Sequence, residues 1–315
     1  MKVFNEIPDK KGAFNNPILT IGSFDGVHLG HRRIISTLLN VSRQKGGEPV
    51  VLTFDNHPRK ILFPGTPPKI LTTSKEKIKA LGGCGINNII MLNFTRDMAE
   101  MHAIDFLNNI VFDKLGILDI VVGYDHAFGR HREGNIDFLK KLSKEKGFGV
   151  TRVDHKDYES RPISSTWIRA EIEDGNITFA NKLLGRRYTL FGKVVKGEGR
   201  GRKLNFPTAN VIPDDPDKVI PKDGVYAVTV DVGNAKSGGM LNIGTNPTFS
   251  NTERTIEVNI LDFGRDIYSA DIEIEFHERV RDEIKFGSPK DLIKQIKKDQ
   301  AAITEILSKV IDEIK

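Results

Sequence analysis

Apolar runs alternate with amphipathic stretches through the first half of the chain. PILTIGSF, EPVVLTF, INNIIMLNF, LDIVVGYD and FGVTRVD read as strands. GHRRIISTLLNVSRQKG, a segment near Ser74 to Gly82, Ala103 to Leu115 and Ile136 to Lys146 read as helices. Strands and helices alternating in this way predict an α/β unit with a parallel, doubly wound sheet, whose ligands bind at the carboxyl ends of the strands. The unusual residues gather at those ends: Gly22 to His31, Asp55 to Pro58 and Gly123 to Gly129.

After Gly185 the period changes. YTLFGKVV, GVYAVTVDV, GGMLNIG, RTIEVNILDF and ADIEIEFHERV are strand-like and separated by Gly, Pro, Asn and Asp clusters. They predict an antiparallel β-barrel or sandwich. Ser288 as N-cap and Pro289 at the first helical position announce a final helix, and Leu292, Ile296, Ile303, Leu307, Val310 and Ile314 give it one apolar face. The expected domains are residues 1–184 and 185–315, with no internal repeat and no low-complexity segment.

Composition narrows the class. A chain of 315 residues, 38% hydrophobic, has material for two cores. Cys84 is the only cysteine, which excludes an internal disulfide framework and a multi-cysteine zinc cage. The start MKVFNEIPDKKGAF has no run of signal-peptide length and no membrane span is legible, so a cytoplasmic protein is expected. Residues 1–184 hold 26 Lys+Arg against 21 Asp+Glu, and residues 185–315 hold 21 of each, which places the whole net charge of +5 in the first part. That suits a phosphate-bearing ligand there and equally an ordinary solvated surface; it does not indicate nucleic-acid binding.

In GSFDGVHLGH, Gly22 and Gly26 flank Phe24 and Asp25 in a strand-to-helix turn, where backbone N–H groups could approach an anion. His28 and His31, three residues apart at the start of the helix, face one side and could both donate to one phosphate. Alone, such a pair reads better as solvent-facing residues; zinc lacks a third ligand nearby. In ISSTWIR, Ser164 and Ser165 can cap a helix whose first turn carries Arg169, which makes either an anion clamp or an ordinary capped surface helix. KGEGRGRKLNFPTANV offers Gly197, Gly199 and Gly201 with Arg200, Arg202 and Lys203, a phosphate cradle or a plain glycine-rich hairpin. Glu257 alternates with Ile256 and Val258 and so projects away from the apolar side of its strand.

GSFDGVHLGH resembles the HxGH signature of the nucleotidyltransferases, and within them the FMN adenylyltransferase domain of bacterial bifunctional riboflavin kinase/FAD synthetases. TFDNHP, VVGYDHAFGRHREG and ISSTWIR follow in that family's order, and FPTAN and RTIEVNILDF resemble its riboflavin kinase half. The resemblance, from Ile18 to about Asp299, implies two activities: riboflavin and ATP to FMN in the barrel, then FMN and ATP to FAD and pyrophosphate in the α/β unit. It implies that His28, His31 and Arg169 stabilise charge on the ATP phosphates, with Gly22, Phe24, Asp25, Gly26, Arg161, Ser164, Ser165 and Thr166 around the nucleotide. In the second half it implies a nucleotide loop of Gly197, Gly199, Arg200, Gly201 and Arg202, Thr208 and Asn210 on Mg²⁺, and Glu257 as base. His57, Asp125, Arg281 and Phe286 are implied to border the flavin, Asp125 through a neutral group or Mg²⁺ or by holding its loop. The implied partners are ATP, riboflavin and FMN, with room for transient contact with apo-flavoproteins; the oligomeric state is left open.

Asn56 stands where the family has a proline, Asn205 where it has a glycine, and YDHAFG where it has a more aromatic run. Two other readings compete. A different adenylyltransferase, or a relative of the class I aminoacyl-tRNA synthetases, leaves FPTAN and Glu257 idle. A flavin- or RNA-binding regulatory protein on an inactive scaffold, or a chain with only its kinase half active, remains for experiment to separate.

Overall fold

The computed structural model describes residues 1–8, 12–197, 201, 206–233, 235–245 and 254–312, with the side chains of 310–312 left aside. The chain divides into two compact units, Met1–Ser165 and Thr166–Lys315.

The first unit is built on six parallel strands: β1 (Lys2–Phe4), β2 (Ile18–Ile21), β3 (Pro49–Phe54), β4 (Asn88–Leu92), β5 (Asp119–Gly123) and β6 (Gly149–Val153), in the order β1-β4-β3-β2-β5-β6. β2 and β4 are buried throughout and β5 in all but its last residue, as a sheet covered on both faces requires. Strand order reverses at β2, which pairs with β3 on one side and β5 on the other. A crevice opens at such a switch point. This sets the Gly22–His31 turn after β2 and the Asp125 loop after β5 at one edge of the sheet.

Helix α1 (Leu29–Lys45) is capped by His28 and stopped by Gly46 in the left-handed conformation (φ 62°). A short α2 (Pro58–Leu62) follows His57, and α3 (Ser74–Gly83) begins with a reciprocal Thr73–Glu76 capping box. After α4 (Arg96–Glu100), the segment expected to be one helix from Ala103 to Leu115 is α5 (Ala103–Phe106) running into a π-helix (Leu107–Leu115). Helix α6 (Ile136–Lys146) has the bounds its spacing predicts. The edge strand β1 and the hairpin β7 (Asp157–Tyr158) and β8 (Arg161–Pro162) are too short to carry a period.

In the second unit, α7 (Ser165–Glu173, its first residue belonging to the first unit) and α8 (Ile177–Leu184) precede a closed antiparallel barrel. Its strands are β9 (Tyr188–Val195), β10 (Ala209–Pro213), β11 (Gly224–Val232), β12 (Ala235–Thr245), β13 (Arg254–Ile260) and β14 (Asp271–Arg281), ordered β10-β13-β12-β11-β14-β9. Asn181 of α8 donates to Phe276 O at 2.9 Å and accepts from Tyr188 N at 2.6 Å. Residues 166–184, which the sequence reading assigns to the first domain, thus fall in the same compact unit as the barrel.

The terminal helix (Pro289–Asp312) starts as expected, with Asp291 N donating to Ser288 Oγ at 3.2 Å. Ile303 and Leu307 pack on Val225 and Ala227; Val310 and Ile314 lie outside the described side chains. Arg281 is engaged within the protein. Its Nε and Nη2 grip both carboxylate oxygens of buried Asp299 at 2.7–3.0 Å and its Nη1 donates to Asp282 O at 2.8 Å. A guanidinium so engaged ties the terminal helix to β14.

Breaking a buried pair by removing one partner leaves an uncompensated charge. Asp299→Ala is therefore expected to destabilise the barrel by about 3–5 kcal/mol in urea unfolding. A flavin-contacting Arg281 would instead leave Arg281→Ala as stable as wild type with a raised riboflavin KM.

Candidate active sites

Residues 24–27 form a strained turn. Phe24 (φ 47°), Gly26 (φ 86°) and Val27 (φ 42°) all have positive φ, and a β-branched residue there is a genuine outlier. The Asp25 carboxylate compensates: its Oδ1 accepts from Leu71 N (2.8 Å), Thr72 N (3.0 Å) and Thr72 Oγ1 (3.3 Å). Ser165 Oγ donates to Asp25 O at 2.9 Å, which brings the start of the ISSTWIR segment onto the FDG turn.

The turn presents the histidines as a stacked pair, ring centroids 3.7 Å apart and planes 19° from parallel. Nδ1 of His28 accepts from His31 N at 3.4 Å, so a neutral His28 carries its proton on Nε2. Gly30 between them leaves space for the His28 ring, whose Cε1 would lie 3.0 Å from an added Cβ. Phe24 is buried and meets the His31 ring edge-on at 5.2 Å. Burial pushes the His28 imidazole down to about 4, against the opposing pull of Asp25. Burial, then His28 and Lys77, hold His31 well below its ordinary value. Both rings are neutral near pH 7, and each then has one N–H to donate.

The expectation for the glycine amides fails. Gly22 N–H donates to Leu52 O at 3.1 Å and Gly26 N–H to Thr72 Oγ1 at 3.0 Å, so neither faces a ligand. Gly22 instead admits the ring of Phe24, 3.2 Å from where a Cβ would stand. Asp25, too, is a clasp on the protein's own backbone. His57 caps α2, its Nδ1 accepting from Arg59 N at 3.1 Å. Asp125 is exposed and its carbonyl takes a bond from Arg132 Nη2 at 3.1 Å, which holds the loop. Arg161 and Ser164 are exposed at the approach to α7. Thr166 and Arg169 lie in the second unit; Arg169 is the fifth residue of α7, beyond the first turn where it was expected.

The barrel holds a second polar group. Thr208 Oγ1 donates to Glu257 Oε2 at 3.2 Å, and Asn210 stands opposite Glu257 in the β10–β13 register. Asn259 is buried with its Nδ2 donating to Pro207 O at 2.7 Å, which anchors the FPTAN stretch. Added Cβ atoms would overlap the Asn210 amide at Gly197 and the Phe206 carbonyl at Gly201, so both positions require glycine for close approach. Gly199, Arg200, Arg202, Lys203 and Asn205 lie outside the described residues. Phe286 is half-buried in the loop before the terminal helix.

A family model for FAD synthetase matches residues 10–167, and one for riboflavin kinase matches residues 184–307. The bifunctional riboflavin kinase/FMN adenylyltransferase of Listeria monocytogenes is 38% identical over 299 residues, 94% of each chain. The chain belongs to this family. The Escherichia coli K12 family member is 35% identical over 289 residues, 91% of this chain and 92% of that one. A crystal structure described as a macrolide-efflux protein from Streptococcus pneumoniae superposes with a TM-score of 0.86 at 31% identity, covering 96% of this chain and 98% of its own.

Two departures from the bifunctional family's pattern have physical compensation. Asn56, in place of proline, pairs with both backbone groups of Phe94, its Oδ1 accepting at 2.7 Å and its Nδ2 donating at 2.9 Å. His126, in the altered YDHAFG run, packs on Phe128 at 5.6 Å, and Phe128 on Phe106 at 5.6 Å. Sequence reasoning missed Thr72 and Lys77. The capping box marks their helix in the sequence, but nothing local says that its first turn is buried against Asp25 and Phe54. No cluster of three His, Cys, Asp or Glu able to hold a metal occurs among the described residues.

His28, His126 and His277 are all held near 4, chiefly by burial. The unfolded chain takes up these protons near 6.5 and the folded chain only near 4. Stability is therefore expected to fall as pH drops through that window, by about 1.4 kcal/mol per pH unit for each such histidine. Thermal melts between pH 7 and 4 check this, and His28→Gln should flatten the slope. Gly197→Ala is expected to displace Asn210 and lower kinase activity about tenfold or more while leaving adenylyl transfer intact.

Proposed function

We propose that the barrel transfers the γ-phosphoryl group of ATP to riboflavin, giving FMN and ADP, and that the α/β unit joins FMN to the adenylyl group of a second ATP, giving FAD and pyrophosphate. The observation that carries the reading is the Thr208–Glu257 pair beside two obligatory glycines, in a chain that also holds the stacked histidine turn.

In the kinase step Glu257 accepts the proton of the riboflavin 5′-hydroxyl as its oxygen attacks the γ-phosphorus and the bond to the bridging oxygen of ADP breaks. Thr208 donates to Glu257, so its oxygen lone pairs stay available as acceptors, and with the Asn210 amide oxygen they form the hard-oxygen set that suits Mg²⁺. Bound there, Mg²⁺ would neutralise charge on the ATP phosphates. Gly197, Gly199, Arg200, Gly201 and Arg202 are assigned to the nucleotide.

In the adenylyl step an FMN phosphate oxygen attacks the α-phosphorus directly, and the bond to the β-phosphate oxygen breaks. His28 through Nε2–H, His31, and Arg169 stabilise the charge, with Arg161, Ser164 and Thr166 on the phosphates and His57, Asp125 and Phe286 near the flavin. Asp25, Phe24 and Ser165 fix the turn. No described helix is long and apolar enough to cross a membrane; we place the protein in the cytoplasm, handing FAD to apo-flavoproteins.

Incubation with riboflavin, excess ATP and Mg²⁺, followed by chromatography of the flavins over time, tests the reading. FMN followed by FAD is the expected outcome. Glu257→Gln should cut FMN formation about a hundredfold or more and leave FAD formation from added FMN at the wild-type rate. Unchanged riboflavin with the wild-type chain would return the binding-protein reading.

A further inference from the structure

Two strands flank β13, and each sets an asparagine directly opposite Glu257: Asn210 in β10 and Asn242 in β12. Residues paired in this way put their side chains on one face of the sheet, with Cβ atoms about 4.5–5.5 Å apart. The other face carries Leu241, Ile243, Ile256 and Val258, all buried. The polar neighbours of Glu257 along its own face of β13 are committed to backbone, Asn259 to Pro207 O and Thr255 to Gly244 O at 3.3 Å. Asn242 is half-buried, and its amide has no hydrogen-bond partner among the described residues.

The groups around Asn242 select what it can meet. Gly244, two residues on and on the same face, admits the Glu283 carboxylate, which an added Cβ would overlap. Val225, opposite Asn242 in β11, packs against Ile303 and Leu307 of the terminal helix. The amide thus stands between two carboxylates, Glu257 and Glu283, beside an apolar wall. A phosphate would be repelled there, whereas hydroxyl groups can donate to the carboxylates and both donate to and accept from the amide. We infer that Asn242 binds the polyhydroxy side chain of riboflavin, holding a hydroxyl next to the reacting one and so fixing the side from which the 5′-hydroxyl reaches Glu257. The nucleotide then lies on the β10 side with Thr208, and the flavin chain on the β12 side. This rests on the kinase reading above.

The test measures kcat and KM in the full chain, with ATP and Mg²⁺, for riboflavin and for a flavin analogue that keeps the terminal hydroxyl on a plain pentyl chain. Asn242→Leu should raise the KM for riboflavin about tenfold or more and leave the KM for ATP near its wild-type value. Its loss on the analogue should be small, so the kcat/KM preference for riboflavin over the analogue falls by about the same factor. A merely structural role would cost both substrates equally. An unchanged KM for riboflavin in a variant that melts like wild type, an equal loss on both substrates, or a rise in KM confined to ATP overturns the inference. Asn242→Ser, whose hydroxyl is too short to replace the amide, is measured in the same way and decides alone if Asn242→Leu does not fold. A wild-type chain that phosphorylates neither substrate overturns the kinase reading itself, and the inference with it.

Discussion

Phe24 and Val27 would relax out of their left-handed conformations if nothing held them, because non-glycine residues there cost about 1–2 kcal/mol each. The buried Asp25 carboxylate supplies the constraint, binding two backbone amides and a hydroxyl of the segment before α3 while its carbonyl takes the Ser165 hydroxyl. Through that clasp three separate stretches of chain meet at the end of β2. The stacking of His28 on His31, the edge-on contact of Phe24 and the position of the ISSTWIR segment all depend on it. The cost of burying the carboxylate is offset by three hydrogen bonds to its Oδ1.

The barrel solves the same problem differently. Strand β10 closes the barrel between β9 and β13, and its one polar residue lies on both seams: Asn210 stands opposite both Val195 and Glu257. Closure and site assembly are thus one event. Asn259, pinning the Pro207 carbonyl from the strand face it shares with Glu257, shows why the seam holds with so short a β10–β13 ladder.

Burial of the histidine pair also decides its chemistry. An imidazolium pair would attract a triphosphate more strongly, yet two adjacent charges in a dry turn would repel each other and strain it. Neutral rings give directed donors without that repulsion, and leave net charge to the basic side chains around them.

The fold class, the alternation of elements and the identity of the two motif sets were legible in the sequence, because period and local turn chemistry are short-range properties. Helix α6, strands β9 and β11 and the start of the terminal helix followed directly from spacing. Strand β10 did not, since the five-residue run ANVIP is too short to carry a period of its own and is held as a strand by pairing with its two neighbours. The same limit applies to single residues. A glycine, an aspartate or an arginine in a motif reads as ligand-facing, but its hydrogen bonds to distant segments are not legible there: Gly26 to Thr72, Asp25 to Leu71, Arg281 to Asp299. Lys77 was silent in sequence for the same reason. The sequence by itself determined which chemistry the chain could hold. Only the tertiary structure decided which polar groups face a substrate and which satisfy the protein's own buried backbone, because that choice depends on partners far away along the chain.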